Sequence, residues 1–123
     1  MQISAEIEQV KGSGTLMLHL LGRCNLQCLH CYMEGSPSRV EQLPVESVLG
    51  TIAECAHLGI GAVYVTGGEP LLYRRLPDVL AAASQVSGLK TTLCTNGTSI
   101  TQRHIALFKK TVLQVIEWQR VER

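Results

Sequence analysis

The sequence predicts an α/β fold in which parallel strands alternate with helices. Short apolar or β-branched runs alternate along the chain with stretches whose apolar residues recur at helical spacing. Strands and helices in this order form a parallel sheet with right-handed crossovers. The cysteine-rich and glycine-rich motifs each follow a predicted strand, and ligand sites gather at the carboxyl ends of such strands. These observations together predict a parallel sheet that binds a ligand at one edge.

The first strand and the first helix are separated by a loop that contains three cysteines. The strand is predicted over residues 15–21, because this run is largely apolar and is bounded by Gly22. The helix is predicted from Val45, with Pro44 at its start and Gly59 just beyond its end. Its apolar residues at helical spacing are Val48, Leu49, Ile52, Ala53 and Ala56.

The remaining elements continue the alternation. Residues 62–66 form a short β-rich run that stops at a Gly-Gly pair, which predicts a second strand. A second helix is predicted over about residues 77–87, and a third strand over residues 90–94. A third helix is predicted over about residues 100–110, and residues 112–116 form either a fourth strand or the tail of that helix.

The composition excludes several functional classes. The chain has 123 residues, which suits one small domain, and 46% hydrophobic with 17% charged residues is not a disordered composition. The formal net charge is +1 and no segment concentrates Lys and Arg, so we expect no nucleic-acid partner. The start lacks a secretion signal and no run approaches about 18 apolar residues, so we expect no membrane partner. Five cysteines, three of them clustered, predict a cytoplasmic location rather than a secreted disulfide scaffold.

The most specific motif is the cluster formed by Cys24, Cys28 and Cys31. Thiolates at this close spacing suit soft metals and iron–sulfur clusters. A structural zinc or an electron-transfer cluster normally has four protein ligands, whereas three ligands on a four-iron cluster leave one iron open. The open position predicts chemistry at the metal. The alternative is a zinc site that is completed by His30 or His19.

Three motifs are predicted to meet at one edge of the sheet. Residues 24–31 follow the first strand, residues 67–70 follow the second, and residues 95–97 follow the third. Residues 67–70 read Gly-Gly-Glu-Pro, in which the glycines let backbone carbonyl groups approach a ligand and the glutamate adds negative charge. This turn suits the ammonium group of a ligand on the open iron. An aromatic part of that ligand would rest against His30 or Tyr32.

The cysteine motif, the Gly-Gly-Glu-Pro turn and the Thr95-Asn96-Gly97 turn together resemble the radical SAM superfamily. The pattern is similar to the group that contains molybdenum-cofactor, haem-pathway and SPASM-type peptide-modifying enzymes. The resemblance implies a partial (βα) barrel, a [4Fe–4S] cluster and S-adenosylmethionine (SAM), whose reductive cleavage yields a 5′-deoxyadenosyl radical. It extends over most of the chain, from about residue 15 to residue 110.

The same resemblance implies the roles of individual residues. The three motif cysteines are implied as cluster ligands, and the glycine–glutamate turn as the group that holds the methionyl amine. Position 30 takes the place of an aromatic residue beside the adenine, and the turn after the third strand lies near the bound cofactor. No residue is assigned to catalysis beyond cofactor binding. The implied cofactor-binding residues are Gly67, Gly68, Glu69, His30, Thr95 and Asn96.

The chain is short for a complete barrel of this family. We expect a partial barrel fragment of about three βα units plus a possible fourth strand. Residues 1–14 would be a lead-in, residues 15–110 the N-terminal half of the barrel, and residues 111–123 an off-pattern tail. A truncated or frame-shifted gene product, a naturally short form, or a subunit that pairs with another chain would explain this length.

Two functions follow from these motifs. The first is a radical SAM iron–sulfur protein that binds the cluster and SAM for reductive cleavage, with a truncation that limits turnover. An active form needs a reductant protein such as flavodoxin or ferredoxin, and a substrate that is expected to be a peptide or a small molecule. The second is a catalytically inactive remnant or accessory subunit that binds an iron–sulfur cluster or zinc. Cys55 and Cys94, outside the motif, are predicted to be small buried hydrophobic residues.

Overall fold

The computed structural model describes residues 14–23, 40–111 and 114–117. Its strands are β1 (Gly14–His19), β2 (Ile60–Thr66), β3 (Lys90–Thr95) and β4 (Gln114–Glu117). Its helices are α1 (Val45–Leu58), α2 (Leu76–Ser84) and α3 (Gln102–Thr111), and a short 3₁₀ helix covers Pro70–Leu72. Within these described ranges, no helix is long and apolar enough to cross a membrane.

The four strands form one parallel sheet in the order β1-β2-β3-β4. The helices pack against each other in chain order, α1 on α2 and α2 on α3, as expected for sequential strands joined by right-handed crossovers. The sheet is open, with β1 and β4 as the outer strands of the described part. The predicted α/β fold is therefore confirmed, and residues 114–117 form a strand rather than a continuation of α3.

The ends of the first two helices follow from local chemistry. Pro44 precedes α1 in an extended conformation, and Gly59 ends it with φ 72°, a left-handed conformation that glycine adopts without strain. Helix α2 ends at Ser84, a few residues before the predicted end. The reason is that the next N–H group, that of Gln85, bonds to the Ala82 carbonyl in the tighter 3₁₀ pattern.

The buried side of α1 differs in part from the predicted apolar face. Val48, Ile52 and Cys55 form this side and recur at helical spacing. Ala53 and Ala56, which were predicted to belong to it, are exposed. Alanine contributes little apolar area, so the larger side chains determine how the helix rotates against the sheet.

The core lies between the sheet and the layer of helices. Val63 and Val65 of β2 and Leu93 of β3 are fully buried, in one cluster with Ile52 of α1 and Leu80 of α2. Burial of each such side chain contributes about 1.5–3 kcal/mol. This core holds the central strands side by side, and it thereby determines the relative position of their carboxyl ends.

Candidate functional site

The turns that follow β2 and β3 lie side by side and are joined by hydrogen bonds. Together with the last residue of β3, these turns contain five of the predicted site residues, namely Gly67, Gly68, Glu69, Thr95 and Asn96. The expected grouping of these two turns at one edge of the sheet is thus observed. The other predicted site residues, Cys24, Cys28, Cys31 and His30, lie outside the described residues, and their roles stay predictions.

The Gly67-Gly68 pair packs against the chain that leaves β1. The Gly68 N–H donates to the Leu21 carbonyl oxygen at 2.6 Å, and the Glu69 N–H donates to the Arg23 carbonyl oxygen at 2.8 Å. A Cβ atom at position 67 would lie 2.8 Å from the Leu21 oxygen, and one at position 68 would overlap the Arg23 carbonyl. Both neighbours are backbone atoms, so glycine is required at both positions for this close approach.

The chain that leaves β1 is also bonded to the chain that enters α1. The Gly22 N–H donates to the Glu41 carbonyl oxygen, and the Leu43 N–H donates to the Leu20 carbonyl oxygen, each at 2.8 Å. The three motif cysteines lie in the sequence between these two bonded segments. The residues on both sides of the cysteine motif are therefore held next to the glycine turn.

Tyr73 makes a contact that sequence reasoning missed. Its buried side chain donates a hydrogen bond of 2.7 Å from the hydroxyl group to the Leu43 carbonyl oxygen. Burial raises the pKa of Tyr73; the charge of Arg75 opposes this shift, and the charge of Glu46 adds to it. The bond ties the segment after the glycine turn to the chain that enters α1. No periodicity or motif marks this tyrosine, so only the folded arrangement reveals the contact.

The Glu69 carboxylate is fully buried and accepts hydrogen bonds from three groups. The Thr95 hydroxyl lies 2.8 Å from Oε1 and 2.7 Å from Oε2, the Asn96 N–H donates to Oε1 at 2.7 Å, and the Leu71 N–H donates to Oε2 at 2.9 Å. Within the described part of the chain, no Lys, Arg or His forms an ion pair with it. Buried charge is costly unless it is hydrogen-bonded or paired, so these three donors are what stabilises the negative charge of Glu69 among the described residues.

The turn after β3 is held by its own side chains. Asn96 Oδ1 accepts hydrogen bonds from the Thr98 N–H at 3.0 Å and from the Thr98 hydroxyl at 2.7 Å, which forms an Asx turn. The Gly97 N–H donates to Thr95 Oγ1 at 3.2 Å. These bonds fix the backbone so that the Asn96 N–H is directed at the Glu69 carboxylate.

Cys55 and Cys94 are buried free thiols, as predicted. Burial raises the pKa of both thiols, which favours the neutral form that does not bind metal. Among the residues that the structure describes, no group of three or more His, Cys, Asp or Glu side chains is arranged to hold a metal ion. Both cysteines are thus buried in the fold, as the sequence predicts for small hydrophobic residues.

Comparison with known sequences identifies relatives of this chain. The family model for the radical SAM superfamily matches residues 18–117. The chain is 35% identical over 89 residues to the probable GTP 3′,8-cyclase of Methanocella arvoryzae. The aligned region covers 72% of this chain and 28% of that protein. It is 33% identical over 95 residues to the Fe-coproporphyrin III synthase of Methanosarcina barkeri. That alignment covers 76% of this chain and 24% of that protein. The chain spans about a quarter of the length of these curated relatives.

Solved structures with the same fold are also known. Streptococcus suis SuiB bound to S-adenosylmethionine superposes with a TM-score of 0.72 at 20% identity, over 92% of this chain and 27% of SuiB. BtrN in complex with AdoMet and 2-DOIA gives a TM-score of 0.69 at 18% identity, over 89% of this chain and 47% of BtrN. Members of the matched superfamily bind a [4Fe–4S] cluster and SAM, the cofactors that the motifs predicted. The match over residues 18–117 shows that the chain belongs to the radical SAM superfamily.

Proposed function

We propose that this chain is the cofactor-binding part of a radical SAM enzyme and takes part in the reductive cleavage of SAM. In this proposal Cys24, Cys28 and Cys31 hold the [4Fe–4S] cluster, and the turn after β2 holds the methionyl amine. When bound, the reduced cluster supplies the electron that splits SAM into methionine and a 5′-deoxyadenosyl radical, which takes a hydrogen atom from the substrate. The observation that carries the proposal is the buried Glu69 carboxylate, whose described surroundings contain three donors and no paired cation.

The groups on the chain fit both cofactors. Three thiolates within eight residues suit an iron–sulfur cluster, and the chain on both sides of them is hydrogen-bonded beside the glycine turn. Gly67 and Gly68 have no side chains, so their carbonyl groups can accept hydrogen bonds from an ammonium group. That ammonium would bring a positive charge close to the buried Glu69 carboxylate, where the attraction is weakly screened. His30 and Asn96 would lie on the adenosine side of the cofactor.

The matched residues support a role in cofactor binding more directly than they indicate a particular substrate. The same residues match a GTP 3′,8-cyclase and an Fe-coproporphyrin III synthase, whose names give different reactants or products. SuiB, which shares the fold, has also been solved with its precursor peptide SuiA. A segment common to such different proteins carries what they share, and the superfamily shares the cluster and SAM. We therefore propose a peptide or small-molecule substrate, a flavodoxin or ferredoxin as electron donor, and a cytoplasmic location.

Low-temperature EPR of the anaerobically reconstituted, dithionite-reduced chain tests the proposal. We expect a [4Fe–4S]⁺ signal that changes when SAM is added, together with release of 5′-deoxyadenosine measured by chromatography. The Cys28→Ala variant should lose the signal. The matched control is Cys55→Ala, which removes a buried thiol of α1 outside the motif and should keep the signal.

The possible outcomes separate the two functions predicted from the sequence. A cluster signal that does not respond to SAM, without 5′-deoxyadenosine, would favour the inactive remnant or accessory subunit. A chain that retains zinc and forms no cluster would contradict the radical SAM function for this chain.

A further inference from the structure

The Thr95 hydroxyl and the Glu69 carboxylate meet beyond the last pair of the β2–β3 ladder. The β2–β3 ladder ends at the Val65–Leu93 pair, and the two side chains make contact past this point. Thr95 has 0% of its surface exposed, so it offers no surface for contact with a ligand. Any effect of its hydroxyl on a bound ligand must therefore pass through Glu69.

Thr95 differs from the other two donors to this carboxylate. The Leu71 and Asn96 donors are backbone N–H groups, and each contacts a single carboxylate oxygen. The Thr95 hydroxyl lies between both oxygens and is the side-chain donor of this set. The terminal torsion of glutamate has a broad energy minimum, so a donor that contacts both oxygens restrains the plane of the carboxylate beyond what the single backbone donor on each oxygen provides.

The direction of the Thr95 hydrogen bond is also determined. Thr95 Oγ1 accepts a hydrogen bond from the Gly97 N–H at 3.2 Å, so its own proton is available for the Glu69 carboxylate. The hydroxyl thus connects the backbone of the turn after β3 with the charge beside the turn after β2. Both turns are held in one arrangement by this residue.

We propose that Thr95 is a positioning residue for the methionyl amine, which acts by fixing the Glu69 carboxylate and makes no contact with the cofactor. The inference rests on the proposed function, because it requires that the glycine–glutamate turn binds the amine. Without the hydroxyl, each carboxylate oxygen keeps one backbone donor, so the carboxylate is held less firmly and its negative charge is displaced relative to the Gly67 and Gly68 carbonyl groups. The affinity for an ammonium group at those carbonyls then falls.

The Thr95→Ser and Thr95→Ala variants form a matched pair, because they differ only in the hydroxyl group. The reconstituted chain of 123 residues is titrated with SAM and, separately, with the SAM analogue that lacks the amino group, and the EPR change gives each Kd. We expect Thr95→Ala to bind SAM about tenfold more weakly than Thr95→Ser, the effect of one hydrogen bond to a charged group. Both variants should bind the deaminated analogue equally. Thr95→Ser should bind SAM like the unmodified chain.

Other results would overturn the inference. An equal loss of affinity for SAM and for the deaminated analogue in Thr95→Ala would show that Thr95 only supports the fold. Equal SAM affinity in Thr95→Ala and Thr95→Ser would show that the hydroxyl has no effect on the amine. Failure of the unmodified chain to bind SAM would overturn the proposed function and this inference together. If Thr95→Ala does not fold, Thr95→Cys replaces it, because a thiol is a weak donor at the same position.

Discussion

Gly68 and Arg23 lie in direct contact, so that a Cβ atom at position 68 would overlap the carbonyl group of Arg23. The next residue reinforces the contact, because the Glu69 N–H donates to the same carbonyl oxygen at 2.8 Å. Arg23 immediately precedes Cys24 in the sequence. The glycine turn therefore determines where the chain enters the cysteine motif, and the two motifs depend on each other structurally.

The Gly68→Ala variant should lose both stability and iron. The added Cβ meets backbone atoms, which cannot move aside by a change of rotamer, so the chain that leaves β1 must shift and its hydrogen bonds to the turn weaken. We expect the free energy of unfolding to fall by about 1–3 kcal/mol, a typical cost of overpacking. Urea denaturation measures the stability, and iron per chain after reconstitution measures cluster loading.

The Gly50→Ala variant is the matched control for this substitution. Gly50 is exposed in α1, and nothing lies within 4 Å of the position that its Cβ would occupy. Alanine in a helix interior should raise the free energy of unfolding by about 0.5–1 kcal/mol and leave the iron content unchanged. Iron loss of the same size in both variants would show that the Gly68 contact has no special connection to the cysteine motif.

The Glu69→Gln variant should destabilise the chain and weaken SAM binding. One carboxylate oxygen becomes an NH₂ group that faces a backbone donor, either the Leu71 N–H or the Asn96 N–H. A buried donor without an acceptor costs about 1–3 kcal/mol, and the negative charge beside the turn is lost as well. Urea denaturation and an EPR titration with SAM measure the two effects. Asp78→Asn, at an exposed carboxylate of α2 that pairs with Arg75, should leave the SAM affinity unchanged. Unchanged SAM affinity in Glu69→Gln would contradict the proposed role of this charge.

The Tyr73→Phe variant should loosen the chain that enters α1. It removes the 2.7 Å hydrogen bond to the Leu43 carbonyl oxygen, at a cost of about 0.5–1.5 kcal/mol in the free energy of unfolding. Because Leu43 is bonded to the chain that leaves β1, we also expect the cluster to be lost faster to an iron chelator. Tyr64→Phe is the control, since its hydroxyl has no hydrogen bond within the described ranges. Identical chelation rates for both variants would argue against this coupling.

Two buried thiols should make the stability of the chain fall at alkaline pH. Burial raises the pKa of Cys55 and of Cys94 above the ordinary value of 9.0. A group with a higher pKa in the folded state stabilises the fold fully below its unfolded pKa and loses this contribution as the pH rises through the folded pKa. Anaerobic urea titrations at pH 7 and pH 10 should therefore show a smaller alkaline loss in the Cys55→Ala/Cys94→Ala double variant. Equal losses in both proteins would refute this explanation.

The strand pattern predicts most of the sheet, and its main error has a local cause. The first strand was predicted to continue through Leu21, because Leu20 and Leu21 are apolar and both are indeed buried. Leu20 still bonds to the Thr66 carbonyl of β2, but Leu21 forms an isolated antiparallel bridge with Gln42. The chain therefore leaves the parallel ladder within a continuous apolar run, and hydrophobicity alone does not mark that point.

The grouping of the site residues was predictable, whereas their bonding was not. Carboxyl ends of neighbouring parallel strands meet at one edge, so Glu69 and Thr95 were expected to be near each other. The bond between their side chains depends on the register of β2 against β3 and on the height of each turn, which no local pattern encodes. The bond from Tyr73 to Leu43 joins residues 30 positions apart and has the same origin.

The parallel order of the sheet has a consequence for how the chain reaches its native state. Every ladder joins strands that are separated along the sequence by a helix, so no fast-closing hairpin exists among the described elements. Long loops must close before any strand pair forms, which makes folding of such topologies slow. The longest closure, between β1 and β2, encloses the cysteine motif as well as α1. Until it is complete the motif thiols belong to an unfolded, oxidisable chain, so exclusion of oxygen matters for the yield of folded protein before any iron is added.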